Sequence, residues 1–153
     1  MRKRLLILLG PAIAALAAGA HAQPGTRSDL TAIVGQGTGI VEVAPTAHDV
    51  AGPDTLDVQG TVNVHGARPD ATFMVQRRVD LNPDGVCTGA SWLNLPGVPT
   101  PVLTTSAGGA GALHFEISRG APFLDGVSFD VQWRLRGSDG SILESDCFSV
   151  TVK

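Results

Sequence analysis

Apolar and polar residues alternate with a period of two along much of this chain, the spacing of a strand with one buried and one solvated face. The longest example covers residues 127–136. Val127, Phe129, Val131, Trp133 and Leu135 are apolar, and Ser128, Asp130, Gln132, Arg134 and Arg136 between them are polar. Leu56, Val58, Gly60, Val62 and Val64 alternate likewise with Asp57, Gln59, Thr61, Asn63 and His65, and Leu113, Phe115 and Ile117 with His114, Glu116 and Ser118. Phe73 and Val75 lead a strand over 71–79, and shorter patterns predict strands at 31–34, 39–43, 91–95 and 102–106. No window carries a convincing helical period.

The connectors have turn chemistry. Asn82-Pro-Asp-Gly85, Ala107-Gly-Gly-Ala-Gly111 and Gly137-Ser-Asp-Gly140 supply residues that tolerate positive φ or preset a turn. Short strands joined by such turns predict an all-β fold, an antiparallel β-sandwich or barrel. The last strand, 141–152, breaks its own pattern: Phe148, Val150 and Val152 share one parity, Leu143 and Cys147 the other. One regular strand cannot turn both sets inward. A β-bulge or bend near 145–148, with Cys147 and Phe148 both facing the core, is therefore expected.

Val62-Asn-Val-His-Gly-Ala-Arg-Pro-Asp-Ala-Thr-Phe-Met-Val75 resembles the strand–proline turn–strand passage of fibronectin type III and bacterial immunoglobulin-like domains. The resemblance covers this local stretch and implies a β-sandwich that is immunoglobulin-like in the broad sense. It brings no catalytic residues. The aromatic of the passage is Phe73, and the chain has no tyrosine to form the corner hydrogen bond of that fold. The whole chain after its first residues is also similar to small secreted bacterial β-proteins.

The amino terminus changes the setting. Basic Arg2, Lys3 and Arg4, the apolar run Leu5–Gly19 and the small-residue triplet Ala20-His21-Ala22 read as a cleavable signal peptide over 1–22. The run is shorter than the roughly 20 residues of a membrane-spanning helix, and Pro11 interrupts it. Residues 23–31 read as a polar, mobile start of the mature chain, and 32–153 as a single domain. Loss of Arg2, Lys3 and Arg4 lowers the formal net charge from −3 to −6. An acidic chain with no basic cluster is a poor partner for nucleic acid, and membrane insertion after cleavage is not expected. Export also bears on Cys87 and Cys147, the only cysteines, which are expected to form one disulfide rather than remain free or metal-binding thiols.

Candidate chemistry is sparse. Asp80, Asn82 and Asp84, ahead of Gly85, match the first half of a calcium loop, yet Ser91 occupies the position of the bidentate glutamate and Pro83 restricts the loop. Calcium is thus the one cofactor with a candidate site, and the alternative is a hairpin turn. His48, His65 and His114 lack metal-ligand spacing and read as solvated residues. No G-x-S-x-G or S-x-x-K motif is present. Glu144 and Asp146 would suit a glycosidase pair or merely a solvated strand face. Gly35-Gln-Gly-Thr-Gly39 lacks the βαβ context of a dinucleotide site. No catalytic residue is assigned.

The best candidate surface is the proline-rich segment Trp92–Val102, with Trp92, Leu93 and Leu95 as anchors and Phe123 contributing from Ala121–Leu124. Exposed, it would offer a preordered apolar contact to a protein or envelope component; otherwise Trp92 and Leu95 cap the core. The sequence thus predicts a secreted or periplasmic, disulfide-linked, non-enzymatic binding module. A small hydrolase and a β-barrel carrier of a small apolar ligand are the alternatives. Convergent carboxylates would mark the first and an apolar pocket the second.

Overall fold

The computed structural model describes residues 25–48, 55–89, 91–97, 99–120 and 125–153. Residues 1–22, read from the sequence as a signal peptide, lie outside that set. The described residues form strands β1 (Thr26–Val34), β2 (Thr38–His48), β3 (Thr55–His65), β4 (Thr72–Asp80), β5 (Leu93–Asn94), β6 (Val102–Thr104), β7 (Gly111–Gly120), β8 (Ser128–Gly137), β9 (Ile142–Ser145) and β10 (Phe148–Thr151). All pairings are antiparallel. They join in one sheet of order β5-β4-β8-β9-β1-β2-β3-β7, with β10 also on β8 and β6 also on β4. The protein is an all-β antiparallel domain with one disulfide, built as a curled single sheet.

The alternating positions explain the curl. Val41 and Val43, Leu56, Val62 and Val64, Phe73 and Val75, Phe115 and Ile117, and Phe129, Val131, Trp133 and Leu135 are all buried on one face. A sheet with one apolar face must cover it, and here the sheet covers itself. Phe115 of β7 reaches across the interior to Trp133 of β8, with ring centroids 5.0 Å apart and planes tilted by 39°. Gly60 lies opposite Phe115 in the β3–β7 ladder. A Cβ there would come within 2.2 Å of the phenyl Cζ, so the ring occupies the space a side chain would need. That is why a glycine stands at an inward position of β3.

The passage from β3 to β4 joins strands that are not neighbours in the sheet. Buried Thr105 anchors this arch. Its hydroxyl accepts from the Ala71 N–H at 2.9 Å and donates to the Arg68 carbonyl at 2.7 Å.

The expected bulge is present. Glu144 pairs with Arg134, but Phe148 pairs with Val131, so β9 and β10 carry one more residue than β8 does over the same interval. Leu143 before the bulge and Val150 and Val152 after it are all buried. The Ser145 hydroxyl accepts from the Trp133 N–H at 2.9 Å and donates to the Asp146 carbonyl at 2.8 Å, replacing a ladder bond that the bulge removes.

One part of the expectation needs correction. Phe148 packs against the core, whereas Cys147 stays outside the core cluster. It bonds to Cys87, in the loop between β4 and β5. That loop crosses the outer face: the Gly85 N–H reaches Asp130, a residue lying between inward Phe129 and Val131 and also held by the Ser149 hydroxyl.

The start of the domain differs too. β1 begins at Thr26, inside the segment expected to be polar and mobile, and Leu30 is buried. The strand pairs with β2 on one side and β9 on the other. Its ladder bonds hold it in place despite few large apolar side chains, so alternation marked only its end, at 31–34.

Two substitutions test these contacts. Gly60→Ala should destabilise the domain by about 1–3 kcal/mol through overpacking against Phe115. Ser145→Ala should cost about 1–3 kcal/mol by orphaning the buried Trp133 N–H. Urea unfolding of each variant against the parent provides the measurement.

Candidate functional site

The aromatic bridge divides the interior. On one side Leu30, Val41, Val62, Val64, Phe73, Leu103, Leu135 and Leu143 are essentially without solvent exposure and pack closely. On the other, the inward positions of β2, β3, β4 and β8 carry mostly small side chains: Val43, Pro45, Val58, Val79 and Val131. They cannot fill the width that Phe115 and Trp133 span. A cavity of about 270 Å³ results, completed by Leu56, Leu93, Ile117, Phe129, Trp133 and Val150. Two hollows beside the Arg68–Asp139 ion pair are larger, about 450 and 400 Å³, but they are dips among polar turn residues at the surface.

Two charged residues line the apolar cavity, Arg77 of β4 and Arg119 of β7. Arg77 has the inward parity of Phe73 and Val75 and pairs with Trp133 on β8 and Leu93 on β5. It is only 6% exposed. Its Nη1 donates to the Asn94 carbonyl at 3.2 Å, and among the described residues no carboxylate lies within ion-pair distance of it. Desolvation by burial, and then the nearby charge of Arg119, lower its pKa to about 10. It remains a cation at neutral pH. Arg119 lies opposite Leu56 and is exposed at the rim. Trp133 adds a further donor: its indole Nε1 is buried without a hydrogen-bond partner among the described residues. An arginine so deeply buried is ordinarily paired, and a buried donor ordinarily has an acceptor. Here both lie around one hollow.

Arg77 and Arg119 were not among the candidates drawn from the sequence, although a usable signal was present. Each continues an apolar phase, Arg77 after Phe73 and Val75, and Arg119 after Phe115 and Ile117, so each is a charge at a position predicted to point inward.

The residues singled out from the sequence are dispersed. Trp92 lies on the outer face, its ring 4.7 Å from the Arg78 guanidinium and 4.2 Å from that of Arg134. Gln132 accepts from Arg78, and Gln76 accepts from Arg134 at 2.7 and 2.9 Å, which holds both cations beneath the indole. Leu95 is buried in the core, and Leu93 stands at the cavity rim, half exposed. Phe123 lies outside the described residues. Of the anchors named from the sequence, Trp92 thus covers cations on the outer face, Leu93 borders the cavity and Leu95 joins the core.

In the loop after β4, Asp80 Oδ1 accepts from the Asn82 N–H at 3.0 Å, Asp84 Oδ1 accepts from the Val86 N–H at 2.9 Å, and Asn82 Nδ2 donates to Asp84 Oδ2 at 2.7 Å. Asp80 Oδ1, Asp84 Oδ1 and Asp84 Oδ2 thus accept hydrogen bonds within the turn. Among the described residues no group of three or more His, Cys, Asp and Glu could hold a metal ion. His114 lies opposite Thr61 on β3, so His65 does not align with it, and the His48 side chain lies outside the described residues. Glu144 faces Arg134 at 3.9 Å, away from the cavity, which no described carboxylate lines.

Comparison with protein-family models and with curated proteins finds no match to this chain. Trp92→Ala should lower stability by about 1–2 kcal/mol, because two guanidinium contacts are lost. The shift of the urea midpoint reads it.

Proposed function

We propose that the protein is a non-enzymatic binding protein of the cell exterior, secreted or periplasmic, that takes a small apolar ligand into the hollow end of its curled sheet. The apolar cavity of about 270 Å³ carries this reading. A cavity of about 150 Å³ accommodates benzene, so this one has room for roughly ten carbon atoms. The commitment of Trp92 to Arg78 and Arg134 and the burial of Leu95 favour the cavity over the proline-rich segment as the binding element.

The leader-like residues 1–22 and the Cys87–Cys147 disulfide support an exported protein. The arch from β3 to β4 supports an immunoglobulin-like description of the sheet, since it links strands that are not hydrogen-bonded to each other.

The cavity contains its own reporter. In a Trp92→Phe variant the only other tryptophan, Trp133, lines the site. Titration with 1-decanol or with decanoate should change its emission saturably and raise the melting temperature. Val58→Phe, which fills the cavity, should abolish both responses. Absence of any response to either probe would overturn the reading.

A further inference from the structure

We propose that the ligand is a single-chain amphiphile with an oxyanion head, a carboxylate or a phosphate monoester, whose tail fills the apolar cavity while Arg77 and Arg119 hold the head. This rests on the cavity being the binding site and adds the chemistry of what enters it.

The charge distribution is the first argument. After the leader the chain is strongly acidic, with eight basic residues in all, and two of them line this one apolar cavity while no described carboxylate does. The other interior positions around them are aliphatic or aromatic. A hollow evolved for a neutral hydrocarbon has no use for a buried guanidinium such as that of Arg77, which costs free energy to bury, nor for a second cation at its rim.

The second argument is the state of Arg77 without a ligand. At 6% exposure it is more than nine-tenths buried, yet among the described residues the one hydrogen bond of its side chain is to the neutral Asn94 carbonyl. The remaining guanidinium donors form a planar fork, the geometry that grips a carboxylate or phosphate through two parallel bonds. Arg119, close enough for its charge to disfavour that of Arg77, makes the region more positive still. An entering anion relieves both the missing partner and this mutual repulsion.

Position is the third. Buried Arg77 lies between Trp133 and half-exposed Leu93 on the strands either side of it, and exposed Arg119 stands at the rim. A head held between the arginines leaves the wall formed by Val43, Leu56 and Ile117 to the tail. The unpartnered Trp133 indole N–H is one more donor on the same lining.

Four ten-carbon probes test this on the mature, disulfide-bonded protein carrying Trp92→Phe: decanoate, decyl phosphate, 1-decanol and decyltrimethylammonium. At least one of the anions should bind tighter than decanol by about tenfold or more, as a charge-assisted head contact implies. The cation should bind weaker than the alcohol, and the tighter of decanoate and decyl phosphate identifies the head.

Arg77→Met should bring anion affinity down to that of decanol while raising the melting temperature of the free protein, since an unpaired buried charge is removed. Arg119→Met, at the exposed rim, supplies a second measurement should the first variant not fold, and it should weaken the anion alone. Equal affinity for decanol and both anions, or anion binding unchanged in the arginine variants, would overturn the inference while leaving the apolar cavity as a binding site. Failure of all four probes would instead count against the cavity itself.

Discussion

The stacking of Phe115 against Trp133 over the bare backbone of Gly60 is the contact on which the shape of this domain depends. β7 ends the sheet on one side, and β8 lies near the other end of the strand order. A bridge through the interior joins these parts directly, beside the backbone links that the short β6 and the chain end provide. Aromatic pairs of this kind contribute about 0.5–1.5 kcal/mol beyond the area they bury. Their wider effect is geometric. The rings set a width that Phe73 and leucines such as Leu103 and Leu135 fill on one side and that the mostly small residues on the other leave open.

The outer face is organised by a different set of forces. The loop after β4 is attached to the sheet at three points: Gly85 to Asp130, Cys87 to Cys147, and Trp92 to the Arg78–Arg134 pair. Asp130 is wholly buried although it points away from the core, because this loop covers it. A disulfide closing 60 residues restricts the unfolded chain, by about 4 kcal/mol in the loop-entropy model. Covalent and polar attachment thus stabilises the outside of the sheet, and apolar contact the inside. The inner face can consequently tolerate a hollow.

Much of the architecture was legible because a half-buried strand is almost the only element that produces sustained period-two alternation. β3, β4, β7 and β8 fell close to their expected positions, and the clash of parity between Leu143 and Phe148 located the bulge. Only the end of β1, at 31–34, was legible, because backbone pairing on both edges rather than apolar side chains holds the residues before it. The orientation of Cys147 escaped for a related reason: its partner approaches from a loop crossing the outer face, and no local pattern encodes such a crossing. Trp92 shows the same limit, since an indole in a loop can cover core or cations equally well. Arg77 and Arg119 were readable in principle, as charges in apolar phase, but their meaning depended on the small residues that face them across the curl.

The extra residue at the bulge sets a reading frame for the end of the chain. Upstream of it, Leu143 points inward; downstream, Phe148, Val150 and Val152 do so only because one position has been inserted relative to β8. Side-chain period on a strand is two, so regular pairing of the same residues without the bulge would send all three apolar residues to the solvent and bring Ser149 and Thr151 inside. Deletion of the exposed position 146 would instead restore equal counts on both strands and leave Leu143, Phe148, Val150 and Val152 on one face of a regular ladder. The bulge is thus the device by which this stretch absorbs one surplus residue.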